Sequence, residues 1–154
     1  MVQFVRHAFP CSFDGDLAGK PRVLVADDDA PVRRGVSLTL RRRGFEVVES
    51  ENGAELFDAI ASFARERVNL AAPAASRLDL VLTDLRMPKF DGLEVLELLA
   101  DACWDLPVIL MSGLCDASVR ARAAELGVGC VLDKPFNAEK LVAAVASLVP
   151  LPTR

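Results

Sequence analysis

From Pro21 onward the chain alternates between two hydrophobic rhythms. Short runs rich in β-branched and aliphatic residues, RVLVA (22–26), FEVVE (45–49), DLVLT (79–83), PVILMS (107–112) and GCVLD (129–133), have the length and composition of buried strands. Between them apolar residues return at helical spacing: Val32, Val36 and Leu40; Leu56, Ile60 and Phe63; Leu93, Leu96 and Leu99; Leu141, Val145 and Leu148. Each set makes one buried stripe along a helix. Pro31 suits the first turn of the first helix, and Asn137 an N-cap for the last. The segment 116–126 (DASVRARAAEL) is Ala/Arg-rich and less apolar, which predicts a shorter, looser fourth helix. Strands apolar on both faces predict a parallel sheet covered by helices on each side, because every right-handed crossover lays a helix on one face. The expected fold class is α/β, a doubly wound (βα)5 domain whose ligand crevice lies beyond the carboxyl ends of the strands.

Residues 1–20 carry no sustained period, contain Pro10, Gly15 and Gly19, and have no apolar stretch long enough for a secretory signal. They read as a loose N-terminal extension. Residues 21–150 form the predicted domain. Within it, VNLAAPAASRL (68–78) is longer than the usual αβ connection of ~2–6 residues and reads as a surface insertion. Residues 151–154 form a tail, and no output domain is expected after it. The basic runs Arg33-Arg34 and Arg41-Arg42-Arg43 read as solvated faces of the first helix.

Composition narrows the function. The 154 residues are 52% hydrophobic and 26% charged, enough for one buried core and too apolar for disorder. Every apolar run is broken well before the ~18 residues of a membrane span. The net charge of −4 offers no excess for gripping a phosphate backbone. Nucleic acid and membrane are therefore excluded as expected partners, and a cytoplasmic location is expected. Cys11, Cys103, Cys115 and Cys130 lack CxxC spacing, and His7 is the single histidine. A zinc site, a disulfide framework and Ser-His-Asp or Cys-His hydrolysis all drop out.

The polar residues that follow the strands hold the candidate chemistry. The first run enters Asp27, Asp28 and Asp29; the third ends at Asp84, the fourth at Ser112-Gly113, and the fifth leads into Lys134-Pro135. A doubly wound sheet brings these ends to one edge. Carboxylates crowded there raise one another's pKa and cost stability unless a cation neutralises them. Mg2+, a hard cation, suits carboxylates without His or Cys. With a lysine facing a carboxylate, a small hydroxyl at Ser112 and space at Gly113, the site suits a phosphoryl group. Neither GxxxxGK[ST] nor GxGxxG is present, so the phosphate is expected covalently on Asp84 rather than on a nucleotide.

The motifs VLVADDD, DLVLTDLRMPKFDGLEVL, PVILMSG and LDKPF, in this order and spacing, resemble the receiver domain of two-component response regulators, of the single-domain, chemotaxis-regulator-like kind. The resemblance covers roughly residues 21–149. It implies a flavodoxin-like sheet of order 2-1-3-4-5. It implies that Asp84 is the phosphoacceptor, that Asp28 ligates Mg2+ directly, that Asp27 holds it through water, and that Asp84 and the backbone carbonyl of Arg86 complete the set. Ser112 and Lys134 would contact the phosphoryl group, Pro135 would follow a cis peptide, and Arg86, Gly113 and Leu114 would rim the pocket. The implied donor is a sensor histidine kinase or a histidine phosphotransfer protein, and the implied readout is a downstream protein on the helix 4, strand 5 and helix 5 face. The chain would act as a stand-alone signalling receiver, a monomer or phosphorylation-dependent dimer, catalysing only its own phosphorylation and dephosphorylation.

One departure concerns the switch: Val131 stands where the family places an aromatic residue, so movement of Ser112 has no ring to follow it. Two other readings stay open. Asp27 and Asp29 spell the DxD of a haloacid-dehalogenase-type phosphatase, which also needs a cap over its substrate. A receiver-like scaffold working without phosphorylation is opposed by the retained Asp28, Asp84, Ser112 and Lys134.

Overall fold

The computed structural model describes residues 19–68, 77–101 and 106–152. Most of the expected N-terminal extension and of the 68–78 insertion, the last two tail residues, His7, Cys11 and Cys103, and the side chain of Leu99 lie outside the described residues. The elements run β1 (Arg22–Ala26), α1 (Ala30–Arg42), β2 (Glu46–Ser50), α2 (Gly53–Val68), β3 (Leu80–Asp84), α3 (Gly92–Asp101), β4 (Val108–Ser112), α4 (Ala117–Glu125), β5 (Cys130–Asp133) and α5 (Ala138–Ala146). All neighbouring strands pair in parallel, in the order β2-β1-β3-β4-β5. The doubly wound class and the strand order are those the sequence led us to expect.

Alternation along the strands sorts the side chains into two cores. Val23 and Val25 of β1, Leu80 and Leu82 of β3, and Ile109 and Met111 of β4 face α1 and α5, where Val36, Leu40, Leu141 and Val145 meet them. Leu24, Val81 and Val108 face the other way, onto Leu56 and Ile60 of α2 and Val95 and Leu96 of α3. Strands β3 and β4 are buried at every position, which explains why their sequences read as continuous apolar runs. Each fully buried aliphatic side chain contributes roughly 1.5–3 kcal/mol.

Helix α4 is held differently. Ala123 is its one buried residue, and its main ties are the ion pairs Arg120–Asp133 and Arg122–Glu97, each 2.7 Å. Exposed pairs of this kind contribute ~0–1 kcal/mol apiece, so α4 is the least firmly anchored helix, in line with its sparse apolar pattern.

The helix starts are capped by side chains. Asp29, Asp116 and Asn137 accept from the amides of Val32, Val119 and Lys140 at the heads of α1, α4 and α5. Asp91 and Glu94 at the head of α3 exchange hydrogen bonds reciprocally, at 2.8 and 2.7 Å, in a capping box. Two glycines set the path of the loop between β3 and α3. A Cβ on Gly92 would run into the carbonyl oxygen of Asp84, and one on Gly53 into that of Phe90. Only glycine allows these approaches, and they press the loop against the end of β3 and the head of α2. Among the described residues no helix is long and apolar enough to cross a membrane.

Candidate functional site

The chain leaves β1 toward β2 and leaves β3 toward β4, in opposite lateral directions, which opens a crevice between the carboxyl ends of β1 and β3. Register delivers the polar residues there. Ala26 pairs with Thr83, placing Asp27 and Asp84 at the same level, while Met111 lies beside Asp84 and Ser112 beside Asp133. Lys134 follows one residue later, its amide donating to the Ser112 carbonyl at 2.7 Å, and the Lys134–Pro135 peptide is cis.

The Lys134 side chain ties the two strand ends together. Its Nζ donates to Oδ2 of Asp27 and to Oδ1 of Asp84, both at 2.7 Å. Asp27 is fully buried and Asp84 nearly so, whereas Asp28 is exposed. The remaining oxygens are also engaged: Asp27 Oδ1 accepts from the Asp29 amide at 2.9 Å and Asp84 Oδ2 from the Arg86 amide at 3.0 Å. Burial pushes the Asp84 carboxyl above the usual carboxylate range. The hydrogen bond and charge of Lys134 pull it back only in part, and the Asp27 charge adds to the rise. Burial opposes the charge on Lys134, but its hydrogen bonds to Asp27 and Asp84 outweigh that and hold the ammonium above the ordinary lysine value.

Asp27, Asp28 and Asp84 each present a carboxylate oxygen within 4.8 Å of the others. A carboxylate offers about four lone-pair sites, so the bonds already made leave room for a metal on each side chain. The donor set is all hard oxygen, which fits Mg2+ and does not fit Zn2+ or copper. Asp29 stands apart, spent on capping α1 and on donating its amide to Asp27.

On the far side of the crevice Ser112 is buried, and its Oγ accepts from the Leu114 amide at 3.2 Å. A Cβ on Gly113 would meet nothing within 4 Å, so the space there is open whatever the residue. Leu114 is 72% exposed, more than any other large apolar side chain described. Arg86 is also exposed. The amide of Val119, and after it Ser118, hold the Asp116 carboxyl below its usual range, with the charge of Arg86 adding least. Val131 is half-buried against Leu85, Leu110 and Ala123. Burial pushes the Cys115 thiol up, away from the thiolate a redox sensor needs.

One expectation is overturned. Arg33 does not lie on a solvated face: it is 6% exposed and shares the buried stripe of α1 with Val36, Ser37 and Leu40. Its Nη1 donates to the backbone carbonyl of Asp27 at 2.7 Å and its Nη2 to Glu51 at 2.9 Å, with Nε 3.4 Å from Glu49. The signal was available, because Arg33 precedes Val36 and Leu40 by three and seven residues, which is helical spacing. Arg34 and the 41–43 run are exposed, as expected.

The fold and the edge site define a flavodoxin-like α/β protein with a lysine-bridged acidic cluster at the switch point of its sheet. The family model of the response regulator receiver domain matches residues 23–146. The chain belongs to this family of signalling domains, which typically bind Mg2+ at such an acidic cluster and interact with histidine kinases and downstream effectors. It is 34% identical over 128 residues to the response regulator MprA of Mycolicibacterium vanbaalenii, covering 83% of this chain and 50% of that protein. It is 35% identical over 130 residues to the probable transcriptional regulator ycf27 of Porphyridium aerugineum, covering 84% and 48%. The chain thus spans about half the length of the curated relatives it matches. The non-phosphorylated HemR receiver domain of Leptospira biflexa superposes with a TM-score of 0.68 at 26% identity, over 88% of this chain and 98% of that one.

Proposed function

We infer that this receiver accepts a phosphoryl group on Asp84 in a Mg2+-dependent reaction and signals through a surface change set off at Ser112. The observation that carries the reading is the convergence of Lys134 on Asp84 and Asp27 beside a third carboxylate, Asp28. An oxygen of Asp84 attacks the phosphorus of a phosphohistidine, the N–P bond breaks, and the imidazole leaves with the electron pair and takes up a proton. Mg2+, when bound, would neutralise charge on the phosphoryl oxygens. Asp28 would hold it directly, Asp27 through water, and Asp84 and the Arg86 carbonyl would complete the protein ligands.

Lys134 is already within reach of the reacting oxygen, so its ammonium can follow the charge onto the phosphoryl group without reorganisation. The Ser112 hydroxyl exchanges its bond to the Leu114 amide for one to the phosphoryl group. Because α4 is lightly anchored, that exchange is passed to the α4, β5 and α5 face, where a downstream protein would bind. The donor is a sensor histidine kinase or a histidine phosphotransfer protein.

The test is incubation with acetyl phosphate or phosphoramidate and Mg2+, read by intact-protein mass spectrometry. One phosphoryl group should be added, and Asp84→Asn should abolish it. Equal labelling of the variant would reject Asp84 as the acceptor.

A further inference from the structure

Arg33 is the one buried basic side chain among the described residues, and nothing in the phosphoacceptor reading uses it. Burying a guanidinium is costly unless its donors are matched, and two of the three groups that face it, Glu49 and Glu51, are carboxylates at the carboxyl end of β2. The third is the carbonyl of Asp27, bound at 2.7 Å. The charge of Arg33 faces the two glutamates, of which Glu49 is shared with Arg41, while what Arg33 gives the acidic loop directly is a hydrogen bond to its backbone.

The loop it grips needs fixing. The Asp27 amide is held by the Ser50 carbonyl at 3.2 Å, and the Asp27 carboxylate by Lys134 and the Asp29 amide. The Asp27 carbonyl completes this set, and it belongs to the same peptide plane as the Asp28 nitrogen. Among the described residues no side chain or amide donates to the Asp28 carboxylate, so it is the backbone that fixes the point from which that exposed side chain reaches toward Asp84. Without the bond to Arg33 the Asp27 carbonyl would lose its one side-chain anchor, and the torsions leading from Asp27 to Asp28, on which the approach of the Asp28 carboxylate to Asp84 depends, would be freer to vary.

We propose that Arg33 is a positioning residue that locks the Asp27–Asp28 peptide and so preorganises the acidic cluster for a divalent cation. The proposal rests on the Mg2+-dependent reading above. Groups that orient metal ligands without touching the metal typically account for about 10–100-fold in affinity.

The experiment is calorimetric titration of the full chain with MgCl2, comparing wild type, Arg33→Met, Arg33→Lys and Glu51→Gln, with melting temperatures taken in EDTA. Arg33→Met should raise the Mg2+ Kd by about tenfold or more. Arg33→Lys has one ammonium, which cannot reach the carbonyl and both glutamates together, and should give an intermediate rise. Glu51→Gln, at a side chain 69% exposed, should loosen the guanidinium and raise Kd by about two- to fivefold, with faster amide exchange at Asp28 and Asp29. A structural role alone predicts lower melting temperatures in EDTA with Kd unchanged. Should Arg33→Met fail to fold, the other two variants decide: wild-type affinity in both overturns the proposal. Absence of Mg2+ binding by the wild type would instead overturn the metal-dependent reading beneath it.

Discussion

Replacing Lys134 by Met tests whether the acidic cluster is held together by one ammonium. The substitution keeps the aliphatic stem and deletes the charge that lies 2.7 Å from both Asp27 and Asp84. At an effective dielectric of 20, each contact is worth roughly 6 kcal/mol of gross Coulomb energy, most of it offset by desolvation. Removing one partner of a buried pair costs about 3–5 kcal/mol. The low end applies here, because Lys134 keeps 21% of its side-chain surface exposed and water can enter the vacated space. For a chain of this size about 3 kcal/mol lowers the melting temperature by roughly 6–12 °C.

The pH dependence gives the sharper readout. Asp84 already lies above the usual carboxylate range through burial, and without Lys134 it rises further. A carboxyl whose folded value exceeds its unfolded one contributes stability at low pH and loses it as pH rises through the folded value. The deficit of Lys134→Met should therefore be small in acid and grow toward neutrality. Lys134 itself, raised in the folded state, contributes stability below the ordinary lysine value and loses it only above that, so the wild type should slope less between pH 5 and 8. Mg2+ bound among the carboxylates would take over the neutralising role, so it should raise the melting temperature of the variant more than that of the wild type. Urea melts at several pH values, with and without Mg2+, measure all three effects. A variant as stable as the wild type at neutral pH, with the same slope, would refute the argument.

Much of this arrangement was legible in the sequence because it depends on strand ends. VLVADDD, VLTD, VILMS and VLDK each end an apolar run in a polar residue, and a parallel sheet can only gather such residues at one edge. Helix periods were equally clear where a stripe was wholly aliphatic, as with Val36 and Leu40 or Leu141 and Val145. The reading failed at Arg33, where a charged residue occupies the apolar stripe. Periodicity scored by residue type hides such a position, and its reason for burial, two glutamates and a carbonyl, comes from β2 and the β1 loop rather than from its own helix. The Asp91–Glu94 capping box went unread although D-x-x-E precedes an apolar run, and the demand for glycine at 92 needed the Asp84 carbonyl in place to be seen.

Three further outcomes are expected around the pocket. Millimolar Mg2+ should raise the wild-type melting temperature, and Asp28→Ala should remove most of that gain, since binding to the folded state alone stabilises it; indifference of the wild type would count against the acidic cluster as a metal site. Beryllofluoride should change amide exchange mainly over residues 112–126, because Val131 offers no ring to swing and α4 is weakly anchored; a response centred on β5 would show that strand 5 carries the signal after all. The phosphorylated form should lose its phosphate slowly. Hydrolysis needs a water oriented in line with the bond from Asp84 oxygen to phosphorus, a task for a carboxylate or amide. The side chains that the resemblance implies at the pocket rim are Leu114 and Arg86; both are exposed, and neither accepts a proton. Leu114→Glu combined with Arg86→Asn should therefore speed loss of phosphate by ~10-fold or more, about 1.4 kcal/mol of barrier. Decay of the double variant at the wild-type rate would mean that the water is oriented from elsewhere in the crevice.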